Sequence, residues 1–429
     1  SGVPATFSID QSIRFNSADS AYMHRTPSST GNRKTFTSSF WVKLGKFGDY
    51  TTLPMPGVTH GIGSSAVSLF PSGVLYAYIY YGGSWSGLLV TNRVFRDPSA
   101  WYHFVIVVDT TDSTASERIR IYINGQRETS FSTANYPSQN TDTDWNLSGE
   151  KMWIGKDPGG TWYGEYYAAE IVYIDGTAYG PENFGETNDS GIWIPKDVSG
   201  LTFGTNGFHI DGRDSADLGD DESGNGNDFT TSGLAAHDQV ADSPTNSFNT
   251  MNPLNPLSHG TFSQGNLTNV LSGDDQFYTT QELGFKSYCE VRVDAQSNYG
   301  GTLGLGTFGG DDDDNTLVFQ INYLSGYIWL NGGNASANIG GTITTGDIVM
   351  MAYDPTTRKW WVGVNGTWRN SGDPANGTGQ VYQHSTTDFG EGIGAIVWGG
   401  WKGSANGLTV TWNFGQDGTF AGQETAGGN

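Results

Sequence analysis

The sequence has a single cysteine, Cys289. That excludes an intrachain disulfide framework and a cysteine-ligated zinc site. Basic residues are scarce: 21 Lys and Arg stand against 44 Asp and Glu, a formal net charge of −23. Phosphate backbones and anionic lipid repel such a chain, so neither nucleic acid nor membrane insertion is expected. Charged residues make up only 15%, against roughly 25% in an average soluble domain, so the surface should be Ser, Thr, Asn and Gly. No apolar run approaches the ~18 residues of a transmembrane helix. Residues 1–4 carry no basic or apolar leader, so the chain is expected to be soluble or already processed. Helical periodicity is almost absent.

What is present points one way. Glycine fills 62 of 429 positions, about twice its usual share. Aromatics reach 13%, with 14 Trp, a richness that does not suit disorder. The pairing predicts an all-β protein of short strands and tight turns. The length predicts two or three domains. Phe104-Val105-Ile106-Val107-Val108 and Ile119-Arg120-Ile121-Tyr122-Ile123 read as strands, the second alternating with period two. Asn124-Gly125 then predicts a type I′ hairpin. The same order of apolar strand, Asp, polar turn, strand and Asn-Gly returns from Ile348 to Gly366. Two β-sandwich domains of similar construction are expected. Between them, Thr187 to Pro256 is rich in Asp, Asn, Ser, Gly and Pro but keeps apolar islands such as Gly191-Ile192-Trp193-Ile194 and Phe208-His209-Ile210. It reads as an ordered connector that adds strands to the first sandwich.

The first 190 residues resemble a laminin-G-like, concanavalin-A-type jelly roll. The carrying segments are Ser12 to Asn16, Ala21-Tyr22, Phe36 to Lys43, Trp101 to Val105, Ile121 to Gly125, Trp153-Ile154-Gly155 and Ala169 to Gly176. Trp41 and Trp101 are expected core fillers. Residues from about Asn255 to Gln416 resemble a SPRY domain, through Gly346-Asp347-Ile348-Val349, Tyr353-Asp354, Lys359 to Trp368 and Asn413 to Gln416. The expected organisation is therefore two antiparallel, jelly-roll-like β-sandwiches. The first covers 1–190, the connector 191–252 and the SPRY-like domain 253–429. The run Asp221 to Asn227 resembles a Gly/Asn loop found near laminin-G-like domains, which there often precedes the jelly roll and here follows it. The domain order resembles uncharacterised structural proteins of tailed bacteriophages, marine ones among them. That resemblance implies a non-enzymatic virion protein at the particle surface, a fibre or appendage, with other virion proteins and host-surface carbohydrate as partners. The alternative is a capsid-decorating or tail-assembly protein with purely protein contacts, and a secreted carbohydrate hydrolase is a distant third. Fibres of this kind are often trimers, but no heptads appear here to impose three chains.

Candidate sites follow from residue chemistry. Glucanases of this class place carboxylates on alternate strand residues as Glu-x-Asp-x-x-Glu. No such run occurs, and the separations of five between Glu165, Glu170 and Asp175 put neighbours on opposite faces. No catalytic residue is assigned. None of the seven His sits beside a Gly-x-Ser-x-Gly elbow, and His103 reads as a structural strand residue. No cofactor is required. Calcium is the plausible ion, because it takes hard oxygen ligands. Asp217, Asp220, Asp221, Glu222, Asn225, Asn227 and Asp228 form one candidate cluster, and Asp311 to Asp314 another. Carbohydrate would use aromatic platforms, and the candidates are Tyr80, Tyr81, Trp85, Trp145, Trp162, Tyr163, Trp398 and Trp401.

Overall fold

The computed structural model describes residues 7–60, 63–81, 84–160, 162–254, 260–271, 275–296, 301–307, 317–321, 327–330, 333–338, 342–385, 396–402 and 407–425. It is all-β, and the chain divides into two compact units, 1–247 and 248–429.

The first unit packs two antiparallel sheets face to face. Among the described residues, one sheet runs in the order Gln126–Arg127, Ile119–Ile123, Trp101–Asp109, Thr35–Leu44, Tyr166–Asp175, Ser12–Phe15, Gln239–Val240. The other runs Phe131–Asn135, Ser84–Val94, Val74–Tyr81, Gly63–Leu69, Gly57–His60, Met152–Ile154, Tyr22–Arg25, Thr230–Ser232. Period-two strands turn one set of side chains inward. Phe36, Phe40, Phe104, Ile121, Tyr173, Met23, Met152, Leu75 and Leu89 meet in that core. The connector contributes three strands to these sheets. Phe208–Ile210 pairs with Tyr166–Asp175, Thr230–Ser232 with Tyr22–Arg25, and Gln239–Val240 with Ser12–Phe15.

The first sheet is covered on both faces. Phe184, Val198 and Phe203 pack on Val105, Val107, Val172 and Ile174, away from the main core. This is why Tyr166–Asp175 is buried at every position and reads as a near-continuous apolar run. Its edge facing Ser12–Phe15 is shared with Phe208–Ile210, and a bulge between Ala169 and Val172 places Glu170 at φ 49°.

The repeated grammar of the sequence has a structural counterpart. Asn124 and Gly125 sit at φ 47° and 76°, and Asn365 and Gly366 at 50° and 77°, as a type I′ hairpin needs. The Asn124 side chain accepts the His103 N–H, and that of Asn365 accepts the Ile348 N–H. Asp109 accepts the Thr111 N–H as Asp354 accepts that of Thr356.

The second unit is also a two-sheet antiparallel sandwich. One sheet centres on Leu408–Asn413, Ser287–Gln296, Ile348–Asp354 and Lys359–Val364, the other on Ile396–Lys402 and Gly301–Thr307. Its core holds Val291, Val293, Leu303, Met351, Trp360, Trp398 and Trp412.

Two platform candidates are corrected here. Trp145, at 1% exposure, fills the first core and donates its indole N–H to the Pro56 carbonyl at 2.6 Å. Trp398, also at 1%, faces the second core from a strand. Trp41 is buried against Ile9 and Ala169. Trp101 is half-buried and donates its N–H to Asp242, so it is not a full core filler.

Candidate functional site

With the first sheet covered, the outer face of the second sheet becomes the broad strand surface of the first unit. Met23, Met152, Ile154 and Val58 point inward. Their neighbours Tyr22, His24, Trp153 and Gly57 therefore point out. Register places Thr230 opposite His24, His24 opposite Trp153 and Trp153 opposite Gly57. Farther along, Ala66 lies opposite Tyr78, and Tyr78 opposite Leu88.

Trp153 stands in an aromatic group. Its ring lies 5.2 Å from His24 and 5.5 Å from Tyr22, and Tyr22 lies 6.3 Å from Tyr163. Two lysines cap it. Lys151 Nζ sits 4.9 Å from the Trp153 ring, and Lys156 Nζ 4.9 Å from Trp153 and 5.0 Å from Tyr22. Partial burial, reinforced by both lysines, lowers the His24 imidazole below its usual value. His24 is thus a neutral ring beside two cations.

The loop 155–164 crosses this face. Pro158 seats on Gly57, where an added Cβ would lie 2.5 Å from Pro158 Cγ. The Thr59 hydroxyl donates to the Pro158 carbonyl at 2.9 Å. Trp162, in the same loop, is 42% exposed and stacked on Tyr50 at 4.2 Å. Tyr163 lies under Lys156 at 5.7 Å. On the far side Trp85 is 62% exposed and meets Tyr78 and Tyr80 edge to face. Burial pushes the Tyr78 hydroxyl up to about 12, so it remains a protonated donor.

The sequence candidates therefore divide. Trp162 and Tyr163 join the Trp153 group's face, and Trp85 lies on the same face near Tyr78 and Tyr80. The side chains of Tyr81 and Trp401 lie outside the described residues, as do Asp311 to Asp314. Tyr22, His24, Trp153, Lys151 and Lys156 were not singled out from the sequence. The signal existed, in Ala21-Tyr22 and Trp153-Ile154-Gly155, but it read only as strand pattern.

The acidic loop is a hydrogen-bonded knot. The Asp221 carboxylate accepts the N–H groups of His209, Ser223 and Asn227 and the Ser223 hydroxyl. The Asn225 and Asn227 amides donate to the carbonyls of Gly204, Thr205 and Gly207, and the Asn227 oxygen accepts from Arg25. Asp217, Asp220 and Glu222 are exposed outside this knot. Among the described residues no three His, Cys, Asp or Glu side chains are placed to hold a metal. The cluster ties strand Phe208–Ile210 down: the Asp221 oxygens take backbone and Ser223 donors, and the Asn227 oxygen takes Arg25.

The carboxylates weighed for hydrolysis go to separate partners. Glu165 accepts from the backbone and hydroxyl of Ser17, Glu170 bonds His209, and Asp175 holds Asn32, Asn146 and Asn206. His103 does contact a serine: its Nε2 lies 2.9 Å from Ser39 Oγ. Its Nδ1, however, accepts the Trp193 indole N–H at 2.9 Å, and burial lowers its imidazole to about 3. The neutral ring must carry its proton on Nε2, so it donates to Ser39. A nucleophilic serine needs the reverse, with a carboxylate behind the ring.

Residues 16–175 match a family model described as the concanavalin A-like lectin/glucanases superfamily. No curated protein matches the chain. Among solved structures, a putative carbohydrate binding protein from Bacteroides ovatus is 16% identical, with a TM-score of 0.36, covering 52% of this chain and 58% of that one. Mouse laminin alpha1 chain domains LG4-5 are 9% identical, with a TM-score of 0.32, covering 97% and 92%. The SPRY domain of human HERC1 is 14% identical, with a TM-score of 0.28, covering 35% and 89%.

Proposed function

We propose that the chain is a non-enzymatic binding protein that takes glycan on the outer face of the second sheet. The observation that carries this reading is the Trp153 group: an aromatic platform flanked by Tyr22 and His24 and capped by two lysines. Sugar rings present C–H faces to aromatic rings and hydroxyls to polar neighbours. Here the neighbours are Lys151, Lys156, Thr230 and the Tyr22 hydroxyl. The match of residues 16–175 to a lectin/glucanase superfamily supports the same reading. The separate engagement of Glu165, Glu170 and Asp175 supports binding rather than hydrolysis.

The test is an oligosaccharide array probed with the full chain and with Trp153→Ala. Retained binding in that variant, with an unchanged melting temperature, would remove the face from consideration. The setting proposed is a virion fibre or appendage, and it rests on the resemblance of the domain order alone. Gold-labelled antibody on intact particles checks it. Label on projecting fibres supports a receptor-binding role, label over the head a decorating one, and no label refutes the setting.

A further inference from the structure

The second unit carries an aromatic slot of about 390 Å³ on the outer face of its larger sheet. Core residues of three adjacent strands fix which side chains line it. Cys289, Met351 and Trp360 point inward, so Tyr288, Ala352 and Trp361 point out. Ala352 and Trp361 form the floor, and Tyr288, Trp368, Pro374 and Ala375 rise as walls.

The walls are set before any ligand arrives. The Trp361 indole N–H donates to the Thr378 carbonyl at 2.7 Å, and Lys359 Nζ to the Gly377 carbonyl at 2.7 Å. These bonds hold the loop that bears Pro374 and Ala375. Tyr288, 47% exposed, meets Trp368 at 6.1 Å with planes 65° apart, so the two rings make a corner. The Tyr288 hydroxyl is anchored on Glu290 at 2.7 Å.

Polar groups gather at one end. Lys286 Nζ lies 3.7 Å from the Asp354 carboxylate. The other Asp354 oxygen accepts the Thr356 N–H at 2.9 Å. Burial is the largest single influence and pushes the Asp354 carboxyl up, but the hydrogen bonds from Thr357 and the Thr356 N–H, with the Lys286 charge, together hold it below its ordinary value, hence charged. Acceptor and donor thus stand together beside an apolar corner.

We propose that this slot is a second, independent saccharide site, for a neutral pyranose unit stacked in the Tyr288–Trp368 corner with its hydroxyls on Asp354 and Lys286. The volume falls within the roughly 300–1,000 Å³ of small-molecule sites. An apolar peptide side chain would fill the corner and leave the ion pair unserved. A sugar ring uses both. The site shares no residue with the Trp153 face, so either can stand without the other.

The test uses the full chain labelled with ¹⁵N. Indole N–H signals are followed while maltotriose, cellotriose, chitotriose and mannotriose are added in turn. The expected result is that one of them moves the Trp361 and Trp368 signals and does so equally in Trp153→Ala. Loss of an aromatic wall removes a stacking contact, so Tyr288→Ala should weaken that binding about tenfold, equivalent to about 1.4 kcal/mol. Ala375→Trp, which fills the slot from an exposed position, should abolish it without disturbing the core. The proposal is overturned if none of the four sugars moves these signals. It is equally overturned if the effect disappears in Trp153→Ala, or if a proline-rich decapeptide moves them and no sugar does. Slot binding that persists while Trp153→Ala leaves array binding untouched would instead refute the first-unit reading alone.

Discussion

Trp193 donates its indole N–H to Nδ1 of His103, and that bond fixes the imidazole as a proton donor toward Ser39. The indole reaches this position over two glycines. A Cβ on Gly125 or Gly185 would fall 2.5 Å from the Trp193 ring. Trp193→Phe keeps an aromatic ring, though a smaller one, and removes the donor. The buried Nδ1 is then unpaired, at a cost of about 1–3 kcal/mol. Urea denaturation of the variant should show that loss, and an unchanged midpoint would refute the role given to the bond.

Two of the buried histidines, His103 and His209, should pull stability in opposite directions with pH. Burial lowers His103 to about 3, against 6.5 when unfolded. The unfolded chain then binds the extra proton first. The stability His103 contributes is present above pH 6.5 and falls as pH drops toward 3, by up to about 1.4 kcal/mol per unit. For His209 burial alone would act the same way, but the Glu170 hydrogen bond and the charges of Glu170, Asp211 and Asp221 raise it overall. Its contribution is present below 6.5 and is lost as pH rises through the raised value. His103→Gln should therefore flatten the acid side of the stability profile relative to the parent, and His209→Gln the neutral side.

Trp145 and Trp162 look alike in sequence, each in a polar loop, and should behave oppositely. Trp145→Ala empties a core position and should cost about 3–5 kcal/mol. Trp162→Ala removes an exposed ring stacked on Tyr50 and should stay within about 1 kcal/mol. Thermal melts of the two variants separate the cases.

Gly57 is where loop 155–164 touches the sheet. Gly57→Val would collide with Pro158 and should cost about 1–3 kcal/mol as an overpacked site. It should also lift the loop, so proteolysis between Lys156 and Tyr163 should become faster than in the parent chain.

Lys151 and Lys156 should favour acidic ligands on the Trp153 face. A cation near the surface contributes roughly 0.2–1 kcal/mol to a charged contact. Lys151→Gln with Lys156→Gln should therefore weaken a carboxylated or sulfated oligosaccharide several-fold and a neutral one little. Added salt should narrow the difference between parent and variant. Equal losses for both ligands would remove charge from the account.

The sequence showed the fold class because strand chemistry is local. Ile119–Ile123 alternates buried and half-buried as its pattern says, and Asn124-Gly125 and Asn365-Gly366 both turn hairpins. What it could not show is which loops fold back. Asp144-Trp145-Asn146 reads as exposed, yet its indole finds the Pro56 carbonyl far along the chain. The covering of the first sheet by Phe184 and Phe203 is equally non-local. The candidate face suffers most from this. Tyr22 and Trp153 become neighbours only through strand register, and each alone resembles ordinary strand filling.

Strand Ser12–Phe15 runs antiparallel to Gln239–Val240, and the Ile9 carbonyl beside it accepts the hydroxyls of Ser243 and Thr245. The stretches entering and leaving the first unit therefore lie side by side. Tension applied across these two points would load the pairing one bond at a time, as a zipper opens, and not all bonds together in shear. Such a unit should yield at a low force by shedding its seam first. The Lys43–Asp242 ion pair at 2.7 Å is the clasp that would set that force. A body joined at one corner in this way can also be spliced into a surface loop of another chain without stretching it.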